Sequence, residues 1–185
     1  VKPSGTVSQL CNTASGIHPR HNRNYIRTVR VDKKDPLYAF MQSKGFVIED
    51  DAFRAESTAV VSFAMSAPDG AVVRDDVSAL EMLELWLTYQ REWCEHKPSV
   101  TITVRDEEWV SVGAWVYEHF DEVSGISFLP HSDHTYQQAP YQDLTPEEFS
   151  AWVAAHPVPE FGWEELAAFE RDDNTVGAQT LACSA

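Results

Sequence analysis

The chain has 185 residues, of which 43% are hydrophobic, and carries a formal net charge of −15 at pH 7. This composition predicts one packed core rather than a disordered chain, and no apolar run reaches the roughly 18 residues of a membrane-spanning helix, so no membrane partner is expected. Its three cysteines, Cys11, Cys94 and Cys183, lie far apart, which predicts neither a disulfide framework nor a zinc site and favours a reducing, cytoplasmic compartment.

The charge is unevenly distributed along the chain. Residues 1–54 hold nine Lys or Arg residues against five acidic ones, and residues 1–31 hold no acidic residue. An acidic protein with one basic end does not match a general nucleic-acid binder, which needs a broad positive surface. The basic end fits either a small anionic ligand or a solvated stretch that neutralises an acidic neighbour.

The first predicted feature is a loop at Pro3–Ser8, ahead of a stretch that is compatible with a helix. Gly5 would let the backbone approach a ligand closely, and Ser4, Thr6 and Ser8 add hydroxyl donors. Backbone N–H groups at the start of a helix can bind phosphate oxygens. The same residues also fit an ordinary helix start capped by Ser or Thr, so the loop alone leaves both interpretations open.

Short strands and one helix follow. Alternating apolar and basic residues over 25–31 predict a strand. Asp35-Pro36 then begins a helix that Gly45 ends. Apolar runs at 46–48 and 58–65 predict two more strands.

A long, largely buried helix is predicted over residues 76–93, because its apolar residues recur at helical spacing. The residues predicted to line its core side are Val77, Leu80, Leu83, Trp86, Leu87, Gln90 and Trp93.

A strand, a helix and another strand come next. Alternation over 99–104 predicts the first strand, and residues 126–130 predict the second. Asp106 is the predicted cap of the helix between them. The inner face of that helix is predicted to be Trp109, Val112, Val116 and Phe120.

The last predicted elements are a helix from Thr145 to about Ala155 and a short helix around 164–169. The alternation of strands and helices predicts an α/β fold with neighbouring parallel strands. The segment after residue 170 is expected to be mobile. The histidines, including His131 and His134, lack metal-ligand spacing, so no metal site is predicted. Cys11 and Cys94 are expected to be small buried residues.

Seven segments, taken in order, match a known family. They are VKPSGTVSQL (1–10), ASGIHP (14–19), YIR (25–27), WCEHKPSVTI (93–102), GISFLP (125–130), YQQAPY (136–141) and TLAC (180–183). Together they resemble the large chain of ribonucleotide reductases, and more specifically the adenosylcobalamin-dependent (class II) branch.

This resemblance implies a fold and a set of site residues. Residues 1–170 would be the C-terminal portion of a ten-stranded α/β barrel, and residues 171–185 a flexible, truncated redox tail. The implied substrate-phosphate site consists of Pro3, Ser4, Gly5, Thr6, Val7 and Ser8, acting through backbone amides. Cys183 matches the first cysteine of the tail pair that re-reduces the active site.

The resemblance also implies the reaction. The complete enzyme would use adenosylcobalamin to replace the 2′-hydroxyl of a ribonucleoside triphosphate with hydrogen, taking electrons from thioredoxin or a similar dithiol. The family's radical cysteine lies N-terminal to the phosphate loop and is absent here, as is the second tail cysteine. We therefore expect a fragment, inactive alone, that needs the missing N-terminal part of the same enzyme; the start at Val1 rather than Met agrees.

Two alternatives stay open on the sequence. The first is a large-chain fragment of a di-iron-dependent ribonucleoside-diphosphate reductase, which shares the barrel and the loop. The second is a non-catalytic α/β interaction module.

Overall fold

The computed structural model of the protein describes residues 3–4, 7–131 and 137–170. The elements in chain order are α1 (Val7–Leu10), β1 (Asn24–Asp32), α2 (Pro36–Ser43), β2 (Ile48–Asp50), β3 (Thr58–Ser66), α3 (Ala79–Glu92), β4 (Thr101–Val104), α4 (Trp109–Glu118), β5 (Ser127–Pro130), β6 (Tyr141–Asp143) and α5 (Pro146–Ala155). Short 3₁₀ turns lie at Arg74–Asp76, Asp106–Glu108 and Trp163–Ala168. None of the helices in these ranges is long and apolar enough to cross a membrane.

The chain divides into two units, which we describe separately. The helix–strand unit comprises residues 1–23 and 67–134, and the sheet unit comprises residues 24–66 and 135–185.

The sheet unit contains a four-stranded sheet in the order β2-β3-β1-β6. All its strand pairs are antiparallel, and β1 pairs with β3 along its whole length, from Asn24 opposite Ser66 to Asp32 opposite Thr58. The expected parallel neighbours are therefore wrong for this sheet. The connection between β2 and β3, residues 51–57, is too short for the crossover that parallel strands need, which takes a dozen or more residues.

Local signals explain the helices of this unit. The Asp35 side chain accepts a hydrogen bond from the Leu37 N–H at the start of α2, as predicted, and Gly45 follows the helix end with φ of +80°. Thr145 caps α5 in the same way. Phe40 of α2 is fully buried, and its ring meets those of Phe161 and Phe169.

The helix–strand unit has the predicted α/β arrangement. Strands β4 and β5 pair in parallel, and α4 is the crossover between them. Its core residues come from α3, β4 and α4 and include Leu83, Trp86, Leu87, Ile102, Val104, Val112 and Trp115. The Trp86 indole N–H is satisfied inside this core by the Pro98 carbonyl, at 2.9 Å.

Several core predictions for this unit are wrong. Leu80 and Trp93 are 37% and 77% exposed, because they lie on the side of α3, and past its end, away from the core. On α4, Trp115 is buried instead of Trp109 and Phe120, which are 38% and 71% exposed. The α4 sequence is apolar on more than one side, so its periodicity does not define a single inner face.

Candidate functional site

The candidate site is the loop that precedes α1 in the helix–strand unit. Of the six predicted phosphate-binding residues, Pro3, Ser4, Val7 and Ser8 lie in the described part of the chain, and Gly5 and Thr6 lie outside it. The predicted helix after the loop is confirmed but has only four residues, Val7–Leu10.

Ser4 and Ser8 join the two ends of this loop. The Ser4 hydroxyl oxygen accepts a hydrogen bond from the Ser8 N–H at 3.0 Å, and the Ser8 hydroxyl donates to the Ser4 carbonyl at 2.8 Å. Ser8 is only 4% exposed. The Ser8 hydroxyl therefore donates its hydrogen bond within the loop, whereas the sequence suggested it as a donor to a ligand.

Ser15 holds the loop from a second direction. Its hydroxyl oxygen accepts a hydrogen bond from the Ser4 N–H at 2.7 Å, and its O–H donates one to the Ser4 carbonyl at 3.0 Å. A single side chain thus contacts both backbone polar groups of Ser4. The conformation of the loop depends on a residue 11 positions away in sequence.

The turn after α1 is supported by a buried arginine. Asn12 has φ of +48°, a left-handed conformation that commonly ends a helix. Its side-chain oxygen accepts from Nη2 of Arg20 at 2.6 Å, and Arg20 is only 5% exposed. The backbone of Arg20 in turn bonds to Val72 and Arg74. This anchoring places a permanent positive charge in the segment that follows the loop.

His18 connects the same segment to β4. The Thr101 N–H lies 3.0 Å from His18 Nε2, and His18 Nδ1 lies 2.9 Å from the Ser15 carbonyl. These partners fit a neutral imidazole that carries its proton on Nδ1, since Nε2 must accept. A chain of hydrogen bonds therefore runs from Ser4 through Ser15 and His18 to Thr101.

The two acidic residues that follow Arg74, Asp75 and Asp76, are paired with cations. Asp76 bonds to Arg23 at 3.1 Å, and Asp75 lies 3.1 Å from His131 Nε2. Burial alone would raise the pKa of Asp75, but the hydrogen bond from His131 and the charges of Arg74 and Arg105 hold it below its ordinary value. Asp75 is consequently ionised near neutral pH.

The other predicted site residue, Cys183, lies outside the described residues, as does the whole tail 171–185. Cys11 is exposed rather than buried, directly after α1. The sequence reasoning missed Ser15, His18 and Arg20 as parts of the site. Ser15 and His18 lie in the segment 14–19 that carries part of the family resemblance, and all three lie in the stretch without acidic residues.

Comparison with solved structures finds the same fold in a larger protein. A crystal structure of a B12-dependent (class II) ribonucleotide reductase matches 94% of this chain with a TM-score of 0.72 and 26% identity, and the chain covers 24% of that protein. No protein-family profile matches the chain. The chain therefore shares its fold with part of a class II ribonucleotide reductase.

Curated relatives of this chain belong to one branch of ribonucleotide reductases. The adenosylcobalamin-dependent ribonucleoside-triphosphate reductase of Euglena gracilis is 30% identical over 151 residues, which are 80% of this chain and 21% of the relative. Those of Levilactobacillus brevis and Lactobacillus leichmannii are 26% and 29% identical over 82% and 80% of the chain. The resemblance is confirmed: the chain is homologous to the adenosylcobalamin-dependent branch and spans about a fifth of the length of these relatives.

Proposed function

We propose that this chain is the C-terminal segment of an adenosylcobalamin-dependent ribonucleoside-triphosphate reductase, and that it supplies the substrate-phosphate loop of the complete enzyme. The observation that carries this proposal is the alignment with such reductases over four-fifths of the chain. In this reading residues 1–170 belong to a ten-stranded α/β barrel, and the parallel pair β4–β5 with its helical crossover is compatible with that architecture.

The loop would bind phosphate through a small set of backbone amides. Pro3 has no N–H, and the N–H groups of Ser4 and Ser8 already donate to serine hydroxyls. The proposed donors are therefore the amides of residues 5–7. The serine side chains act on the loop itself, because their hydrogen bonds hold it in one conformation before the ligand arrives.

Arg20 adds long-range attraction for a polyphosphate. Its guanidinium is buried and bonded to Asn12, so it remains fixed when the ligand binds. A fixed cation near an anion site favours the charged ligand without the entropy cost of ordering a flexible side chain.

Adenosylcobalamin in the complete enzyme would supply the radical by homolysis of its cobalt–carbon bond. Within the described ranges of this chain no group of three or more His, Cys, Asp and Glu side chains could hold a metal ion. In this proposal the complete enzyme binds the corrin.

The electron path would run through the tail to the active site. In this proposal Cys183 forms a disulfide with the second cysteine of the family's tail pair. Thioredoxin or a similar dithiol reduces that disulfide, and the resulting tail dithiol reduces the active-site disulfide by thiol–disulfide exchange. Each exchange breaks one S–S bond and forms another, so two electrons and two protons move from the dithiol to the active site per turnover.

The names of the relatives favour a triphosphate substrate over the diphosphate of the di-iron-dependent alternative. The test is made on the complete polypeptide that contains this segment. We expect it to convert ribonucleoside triphosphates to deoxyribonucleotides when both adenosylcobalamin and a dithiol are present. Equal activity without the cofactor, or activity on diphosphates only, would contradict the proposal; no activity at all would favour a non-catalytic module.

A further inference from the structure

Helix α4 has an apolar surface on two sides. Its inner side, with Val112 and Trp115, packs in the core of the helix–strand unit. Its outer side is also apolar but exposed. A helix that is apolar all round is normally buried on all sides, so the outer side of α4 lacks a partner among the described residues of this unit.

The outer residues form a continuous row, which we call the α4 stripe. It consists of Val110, Gly113, Ala114 and Tyr117, with Phe120 directly after the helix. Val110, Tyr117 and Phe120 are 85%, 84% and 71% exposed. Exposed apolar patches of this kind, rimmed by polar residues, mark protein interaction sites, and a central Tyr is typical of their energetic hot spots.

Acidic residues frame the α4 stripe at both ends. Asp106 and Glu107 precede the helix, Glu118 ends it, and Asp121 follows. Residues 106–122 contain no Lys or Arg. The partner that fits is therefore apolar in its centre and basic at its ends.

Charge argues against a second copy of this chain as the partner. An antiparallel pair of α4 helices would set Glu107 of one copy beside Glu118 of the other, and a parallel pair would set Glu107 beside itself. Like charges across an interface are unfavourable. An anionic membrane surface is disfavoured for the same reason.

We propose that the α4 stripe docks a helix from the rest of the reductase polypeptide, one with Lys or Arg on both flanks of an apolar face. This inference rests on the proposed function, because the chain spans about a fifth of its relatives and the remaining four-fifths are available to cover the stripe. Val110 and Tyr117 are its main apolar contacts, and Glu107 and Glu118 pair with the basic flanks.

The test measures cysteine accessibility in the complete reductase. Val110→Cys reports on the stripe, and Val158→Cys is a matched control, because the two valines are 85% and 82% exposed. Each variant is labelled with a maleimide, followed by peptide mass spectrometry, and each rate is divided by the rate for the same variant in urea. We expect Val110→Cys to label roughly tenfold more slowly than its unfolded reference, because a covered thiol reacts only when the contact opens.

A charge variant tests the proposed chemistry of the partner. Adding Glu107→Lys and Glu118→Lys to Val110→Cys should return its labelling rate to within about twofold of the unfolded reference, since like charges then face each other. The same two changes should leave Val158→Cys labelling unaltered. The proposal is overturned if Val110→Cys is labelled in the folded reductase as fast as in urea. It is also overturned if the labelling stays slow after both charge changes.

A photo-crosslinker at Tyr117 identifies the partner. We expect a crosslink within one polypeptide, to a peptide with basic residues around an apolar helix face. Crosslinks between two copies, or to any other protein, refute the assignment. Deoxyribonucleotide formation is assayed in parallel, so that the two proposals can be told apart. If the enzyme is active but Val110→Cys is labelled rapidly, only the docking proposal is refuted. An inactive protein with a covered stripe refutes the reductase function instead.

Discussion

Replacing Ser15 with alanine tests whether the loop is held in place before the ligand binds. The Ser15 hydroxyl makes two hydrogen bonds to the backbone of Ser4, one as acceptor at 2.7 Å and one as donor at 3.0 Å. Ser15→Ala removes both bonds and adds no bulk. The Ser4 N–H and carbonyl must then find water, and the loop gains freedom that nucleotide binding has to remove.

The magnitude follows from the two bonds. A half-buried hydrogen bond contributes about 1 kcal/mol net, so losing both reduces the free energy that favours the ordered loop by about 2 kcal/mol. That free energy corresponds to at most about a thirtyfold rise in the substrate Kd. The free energy of unfolding should fall by about 2 kcal/mol at most, because only these two bonds are lost.

The assay is nucleotide binding and steady-state kinetics in the complete reductase. We expect KM to rise and kcat to stay within about twofold, since the hydroxyl acts on loop order and not on the reacting atoms. Ser15→Thr keeps the hydroxyl and should restore binding. Ser150→Ala is the matched control, because its hydroxyl donates to the Pro146 carbonyl on an exposed helix. Nucleotide affinity unchanged in Ser15→Ala would refute the idea that Ser15 organises the loop.

Three further predictions concern other residues. Gly5→Val should weaken nucleotide binding by far more than tenfold, because a β-branched side chain restricts the backbone and fills space beside the phosphate; a wild-type Kd would reduce the loop to a plain helix cap. Asp51→Asn should lower the free energy of unfolding by about 3 kcal/mol at neutral pH, because Asp51 is a buried partner of Arg30. Burial alone would raise the pKa of Asp51, but hydrogen bonds from the Phe53 N–H, Arg30 and the Arg54 N–H lower it. The wild type should thus lose stability as the pH falls from about 5 through that lowered pKa, and thermal midpoints across this range should fall less steeply in the variant. Cys183→Ser should allow one turnover and block the following ones when thioredoxin is the donor, because serine cannot form the mixed disulfide; full steady-state activity would remove Cys183 from the electron path.

The parts of the fold that local chemistry determines were predictable. Asp35-Pro36 and Thr145-Pro146 begin helices as expected, since capping and proline preferences act over a few residues. The pairing of β1 with β3 was not predictable, because strand direction depends on connections and partners far along the chain. The inner face of α4 was predicted only in part, since apolar residues surround that helix.

In the candidate site, too, local features were predictable from the sequence and long-range contacts were not. Residues 3–8 could be proposed as a phosphate loop because glycine, serine and threonine before a helix form a recognisable local pattern. Ser15, His18 and Arg20 were missed, because their roles arise from contacts with Ser4, Thr101 and Asn12 that no short motif encodes. Tertiary hydrogen bonds of this kind become visible only when the fold brings distant residues together.

The hydrogen-bond chain from Ser4 to Thr101 has a consequence for how the protein folds. His18 contacts the first residue of β4, 83 positions away, so the loop can reach its final geometry only after β4 has joined the core. Under the proposed function, nucleotide binding and the folding of this unit would be thermodynamically linked. At a nucleotide concentration one hundred times its Kd, this linkage would stabilise the folded unit by about 2.7 kcal/mol. The proposed substrate would then also be a ligand that helps complete the folding of its own binding site.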